Sequence, residues 1–170
     1  MMVLVMGGSG SGKSAWAEGE IQRSGLTKRY YIATMRAFDP ESQKRIARHR
    51  AQRASLGFET LEQPQNLGEL RLEGPCAALV EDLPNLLANE MFGGGDPGRI
   101  LPGLESLARQ CALLVVVTGS VFSDGVDYGE TTQAYMRWLA DIGNRLARQA
   151  DRVVEVVYSI PVPVKGGDRG

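Results

Sequence analysis

The stretch VLVMGGSGSGKS, Val3 to Ser14, decides how the rest of the chain is read. Val3, Leu4, Val5 and Met6 form a short unbroken apolar run, the pattern of a strand buried on both faces. Gly7, Gly8, Ser9, Gly10, Ser11, Gly12, Lys13 and Ser14 then satisfy every fixed position of G-x-x-x-x-G-K-[ST]. Such a loop needs glycine because some of its residues must take backbone angles that a Cβ forbids. Consecutive N–H groups can then point inward as an anion nest, with the N-terminus of a helix behind them. Lys13 is placed to reach the β- and γ-phosphates of a nucleoside triphosphate, and the Ser14 hydroxyl to ligate Mg²⁺. A merely flexible Gly/Ser turn would leave unexplained the strand before it, the helix after it and the Lys-Ser pair at the hinge.

Outward from this bend, apolar runs recur at Tyr30–Thr34, Ala77–Val80, Leu113–Thr118 and Val153–Tyr158. Segments with helical spacing lie between them: Ala15–Arg23, Pro40–Arg53, Leu101–Gln110 and Thr131–Gln149. The last carries Tyr135, Leu139, Ile142 and Leu146 on one stripe. Strands alternating with helices predict an α/β fold of the phosphate-loop NTPase type, a mainly parallel sheet with helices on both faces. Glycine-rich breaks fall at 93–98 and 119–129, but no linker divides the 170 residues, so residues 1–170 read as one domain. Residues 165–170 read as a mobile tail.

Composition narrows the function. The net charge is −1, which gives no global basic field for nucleic acid or anionic membrane. No apolar stretch approaches the ~20 residues of a membrane span, and the N-terminus lacks the pattern of a secretory signal. Cys76 and Cys111 stand apart, in no metal-ligand spacing, and read as buried thiols of a cytoplasmic protein. The sequence lacks the N-K-x-D guanine-reading motif of switch GTPases.

Two further features bear on chemistry. The apolar run Ala78-Leu79-Val80 ends in Glu81-Asp82, where an acid could hold Mg²⁺ or could instead cap the next turn. The chain's single histidine, His49, sits in DPESQKRIARHRAQR, Asp39 to Arg53. On a helix, Arg45, His49 and Arg53 fall four apart on one face. Flanking cations keep an imidazole neutral, hence nucleophilic, while guanidinium groups hold phosphate oxygens. Spacing alone equally fits a solvated surface histidine.

Taken together, Gly7–Ser14, Tyr31-Ile32-Ala33-Thr34, Asp39-x-Glu41, Arg45-Ile46-x-x-His49-Arg50-x-x-Arg53 and Thr60-x-Glu62 resemble one family. It is the bifunctional adenosylcobinamide kinase/adenosylcobinamide-phosphate guanylyltransferase family of cobalamin (vitamin B12) biosynthesis. The match is dense over the first third of the chain and thinner through Glu81, Asn89, the Leu146-Ala147…Ala150-Asp151 helix end and Lys165. The resemblance implies a two-step enzyme. The aminopropanol hydroxyl of adenosylcobinamide is phosphorylated with ATP or GTP. GMP then passes from GTP, through a guanylyl-histidine, to the new phosphate, giving adenosylcobinamide-GDP.

By the same resemblance His49 matches the guanylylated histidine, and the phosphate-loop Lys13 is the second expected catalytic residue. Gly7–Ser14 match the nucleotide loop. Thr34, Met35 and Arg36 match a second nucleotide contact, and Arg50, Arg53, Glu62 and Glu81 positions around the guanine nucleotide. Ser14 and Glu81 are the expected Mg²⁺ ligands. A homotrimer with its site near subunit boundaries is also implied. The second half departs from the family pattern at Glu81-Asp82-Leu83-Pro84, Thr118-Gly119-Ser120-Val121 and Met136–Gly143. Two other readings fit the phosphate loop alone: a small kinase with another substrate, and a nucleotide-binding protein without turnover.

Overall fold

The computed structural model describes residues 1–36, 40–119 and 129–167, with backbone only at 40–42, 45, 46, 48, 49 and 52. Its centre is a seven-stranded sheet in the order β3-β2-β4-β5-β1-β6-β7. The strands are β1 (Met2–Gly7), β2 (Lys28–Ala33), β3 (Phe58–Glu62), β4 (Cys76–Glu81), β5 (Leu113–Gly119), β6 (Arg152–Val157) and β7 (Ile160–Lys165). The first six run parallel; β7 turns back against β6. All the parallel strands therefore end at one edge of the sheet, and Gly7, Ala33, Glu62 and Glu81 close four of them there.

Among the described residues five α-helices connect the strands: α1 (Lys13–Arg23), α2 (Pro40–Ser55), α3 (Leu83–Phe92), α4 (Ile100–Gln110) and α5 (Glu130–Gln149). The two-residue side-chain period of a strand sorts the core into two layers. Val3, Val5, Leu79, Val115 and Val117 face the same side as Ala17 and Ile21 of α1. Leu4, Ile32, Val80, Leu114 and Val116 face the other side, against Leu86 and Leu87 of α3, Leu104 and Leu107 of α4, and Ile142 and Leu146 of α5. With helices on both faces, the central strands carry uninterrupted apolar runs, which is why those runs were visible in the sequence.

Three elements were not anticipated. β3 is an edge strand whose pattern, Phe58-Glu59-Thr60-Leu61-Glu62, is largely polar because only part of it is buried. α3 was masked by Pro84, yet proline is well tolerated in the first helical turn, where its missing N–H has no partner to lose. β7 contains Pro161 and Pro163, residues confined to sheet edges, which is where β7 lies.

Lys165, expected to open a mobile tail, is held in place by the fold. The Lys165 ammonium donates to the carbonyls of Ala147 (3.2 Å), Arg148 (2.8 Å) and Ala150 (2.6 Å), closing the C-terminal end of α5. Gly166 follows at φ 64°, with the Asp151 carbonyl so near that a Cβ would come within 2.3 Å of it. Residues 168–170 lie outside the described part. A cation on the exposed carbonyls of a helix C-terminus contributes about 1 kcal/mol, so Lys165→Met should lower stability by roughly that amount in urea denaturation.

Candidate functional site

The phosphate loop is built as its sequence predicts. Gly10 and Gly12 take left-handed φ angles of 69° and 88°. Ser11 N–H donates to the Gly8 carbonyl at 3.3 Å, and the Lys13 ammonium folds back to the same carbonyl at 3.1 Å. Ser11 Oγ is buried and has no hydrogen-bond partner among the described residues.

At the start of α1 the Ser14 hydroxyl donates to Glu81 Oε1, joining the loop to the end of β4. Glu81 Oε2 is buried without a hydrogen-bond partner among the described residues. Burial pushes the Glu81 carboxyl above its ordinary range, the neighbouring Asp82 adds to this, and the Ser14 hydrogen bond opposes it. The two readings of Glu81-Asp82 divide between the two residues. Asp82 caps α3, accepting from the Asn85 N–H at 2.9 Å. Glu81 points at Ser14 with one oxygen to spare. A hydroxyl beside an unsatisfied carboxylate oxygen suits Mg²⁺, which takes few protein ligands and completes its shell with water and phosphate oxygens. Among the described residues no cluster of three His, Cys, Asp or Glu side chains offers an all-protein cage.

Beside this pair opens a cavity of about 990 Å³, walled by α1, α2, β2, β3 and the start of α3. Register explains its floor: Tyr31 pairs with Thr60 and Ala33 with Glu62, so all four face the same way, beneath α2. Gln43, Ala47, Arg50 and Arg53 line it from α2. Arg53 lies 3.5 Å from the centre of the Tyr31 ring, and its Nε approaches Glu18 Oε1 at 3.4 Å. Burial raises the Tyr31 hydroxyl pKa, so the ring stays neutral beneath the guanidinium. Arg50 reaches Glu62 at 3.5 Å on the open rim, where such a pair contributes little.

The expected site residues fall into two groups. Ser9, Ser14, Met35, Arg50, Arg53, Glu62 and Glu81 meet in the cavity. Thr34 and Arg36 do not line it. Thr34 is fully buried, accepts from the Asp82 N–H at 2.8 Å and lies 2.9 Å from the Glu81 and Asp82 carbonyls, fixing the strand end that carries Glu81. Arg36 donates to Gln65. Asn89 ties the same region together, donating to the Thr34 carbonyl at 2.7 Å and the Pro64 carbonyl at 3.0 Å. His49 belongs to α2, the helix that walls the cavity, but its side chain and those of Arg45 and Ile46 lie outside the described residues. So do Asp39, Glu41's side chain, Ser120 and Val121.

Sequence reasoning missed Glu18, Asn85, Gln43 and Ala47. For Glu18 a signal existed: it stands four residues after Ser14 and so shares its face of α1.

The Glu81 geometry gives a stability prediction. The folded protein holds this proton more tightly than the unfolded chain does. Its favourable contribution is therefore present at acid pH and is lost as the pH rises from the ordinary carboxylate range through the raised value. Glu81→Gln should remove that loss. The metal-free protein should become more stable at neutral pH by about 1 kcal/mol, the low end of the cost of a buried unpartnered group. The extra stabilisation from Mg²⁺ with nucleotide should shrink. Thermal denaturation with and without Mg²⁺-nucleotide measures both.

A phosphate loop at the end of a buried strand, an acid on a neighbouring strand end and an adjoining cavity define a phosphate-loop, nucleotide-using enzyme. Residues 3–164 match the model of the cobinamide kinase / cobinamide phosphate guanyltransferase family, and the chain belongs to it. It is 34% identical to the bifunctional adenosylcobalamin biosynthesis protein CobP of Pseudomonas aeruginosa, over 98% of both chains. It is 31% identical to the bifunctional adenosylcobalamin biosynthesis protein CobU of Escherichia coli K12, over 97% of this chain and all of that one. Among solved structures it resembles the flagellar accessory protein FlaH of Methanocaldococcus jannaschii, with a TM-score of 0.54 and 9% identity over 96% of this chain and 77% of that one. The latter likeness is one of fold alone. The kinase and guanylyltransferase class implied by the sequence resemblance is thus the class to which this enzyme belongs.

Proposed function

We propose that the chain phosphorylates the aminopropanol hydroxyl of adenosylcobinamide and then guanylylates the product through His49. The observation that carries this reading is that the phosphate loop and α2 both line one cavity. In the first step the substrate hydroxyl oxygen attacks the γ-phosphorus of ATP or GTP. The bond to the β–γ bridging oxygen breaks, the hydroxyl proton is lost, and the diphosphate leaves. Lys13 and the loop N–H groups hold the phosphates, so that catalysis is chiefly positioning and charge stabilisation.

In the second step a His49 ring nitrogen attacks the α-phosphorus of GTP, the α–β bridge breaks, and pyrophosphate departs. A phosphate oxygen of adenosylcobinamide phosphate then attacks the same phosphorus, the P–N bond breaks, and the imidazole is restored. Arg50 and Arg53 of α2 are placed to hold phosphate oxygens, and Glu62 to meet the nucleoside. Ser14 and Glu81 would hold Mg²⁺, which supplies positive charge to the phosphate oxygens when bound. The homotrimer implied by the resemblance belongs to the same reading, and light scattering tests it.

The test is incubation with GTP labelled at the α-phosphate, without acceptor. Acid-labile, base-stable label on the protein, mapped to His49 by mass spectrometry, supports the reading. Phosphorylation without covalent label would leave only a kinase, and nucleotide binding without turnover would leave neither activity.

A further inference from the structure

The far flank of the phosphate loop carries a feature that these steps leave unused. β6 and β7 are joined by the two-residue turn Tyr158-Ser159, closed by the pair Val157 and Ile160. Both turn residues have left-handed backbones, φ 47° and 64°, although neither is glycine. That conformation suits a tight hairpin but is costly for ordinary side chains, and such costs concentrate at functional sites.

The turn is seated on the loop. Ser159 N–H donates to the Ser11 carbonyl at 2.7 Å. Gly12 passes so close that a Cβ there would lie 2.5 Å from Ser159 Oγ, and a Cβ on Gly7 would lie 2.7 Å from the Val156 carbonyl. While Ser159 touches the loop, Tyr158 beside it is 91% exposed. An aromatic ring thus stands uncovered beside a phosphate site.

Orientation says what it could meet. Ser14 and Glu81, which would hold the metal, meet on the β4 side of the loop, and the cavity lies on that side too. β6 and β7 flank β1 on the opposite side. Transfer of a γ-phosphate to an acceptor in the cavity requires the γ end of the nucleotide to face the cavity. Its nucleoside must then leave the loop on the other side. Attack by a residue of α2 on an α-phosphorus requires the reverse, with the nucleoside in the cavity. One cavity cannot seat the base in both steps.

We propose that Tyr158 is the platform on which the base of the phosphoryl-donor nucleotide stacks, a subsite separate from the cavity that seats the guanosine in guanylyl transfer. The inference rests on the two-step reading above. Stacking on one ring face reads no hydrogen-bonding edge of the base, so this subsite accepts adenine and guanine alike.

The test compares two activities in Tyr158→Ala, and in Tyr158→Asn, which tolerates the left-handed backbone if alanine weakens the turn. The KM for ATP and for GTP as phosphoryl donors should rise roughly five- to a hundredfold, the range set by losing one base–aromatic stack. Tyr158→Phe should behave as wild type, and the yield of protein-bound GMP should not change. An unchanged donor KM overturns the proposal. So does an equal loss of phosphorylation and guanylylation, or a shift in oligomeric state with donor KM intact, which would make Tyr158 a subunit contact. Binding of non-hydrolysable ATP and GTP analogues to the same variants separates failure of the platform from failure of the two-step reading. Weakened analogue binding by Tyr158→Ala supports the platform even if the wild type proves to lack turnover.

Discussion

His49→Ala protein should form no covalent GMP adduct with GTP and should transfer no guanylyl group, while still phosphorylating adenosylcobinamide. The two chemistries differ in what they ask of α2. Attack on an α-phosphorus needs a nucleophile that can carry the group, and His49 is the chain's only imidazole. γ-Phosphoryl transfer uses the substrate's own hydroxyl and needs positioned phosphates and charge. His49→Asn should behave like the alanine variant, because an amide can approximate the ring's hydrogen bonding but cannot hold a phosphoramidate. Mass spectrometry of GTP-treated wild type and both variants, beside a phosphorylation assay, decides it. An adduct on another residue, or undiminished guanylyl transfer by His49→Ala, would remove His49 from the mechanism.

Lys13→Ala should instead depress both activities, phosphoryl transfer by about 10²–10³-fold, the scale on which a positioned charge stabilises a transition state. In the proposed mechanism the same loop would hold the β- and γ-phosphates that leave as pyrophosphate in guanylyl transfer. Folding should be spared, because among the described residues the ammonium makes only an exposed hydrogen bond, to the Gly8 carbonyl. Steady-state kinetics with a circular-dichroism check of the fold measures this. Wild-type turnover by folded Lys13→Ala protein would mean that the phosphates are held elsewhere. The pattern across the two variants, one activity lost in the first and both in the second, is what separates a nucleophile on α2 from a shared phosphate site.

The sequence by itself determined the class of sheet, the phosphate loop and the family. Each rests on local chemistry: strands buried on both faces are apolar throughout, a left-handed loop needs glycine at Gly10 and Gly12, and Lys13-Ser14 opens a helix. It also named several of the residues that meet in the cavity, among them Arg50, Arg53, Glu62 and Glu81. What it left open were contacts between distant segments. Glu81 and Asp82 are chemically similar neighbours, and only the approach of Ser14 from α1, 67 residues away in the chain, assigns one to the loop and leaves the other to cap α3.

Thr34 shows the same limit from the other side. The resemblance matched it to a nucleotide contact, and the fold adds that its hydroxyl is engaged by the backbone of Glu81 and Asp82. Nothing in the local sequence could report that engagement. The Arg53–Tyr31–Glu18 stack likewise unites α2, β2 and α1, whose periodicities give each residue's face but not its partner. β7, which the sequence reading did not anticipate, is an edge strand only because β6 is there to pair with it. That pairing sets Ser159 against the phosphate loop and leaves Tyr158 exposed beside it. Periodicity and motif spacing are properties of a segment, whereas a hydrogen bond between segments depends on strand order and register, which only the folded sheet supplies.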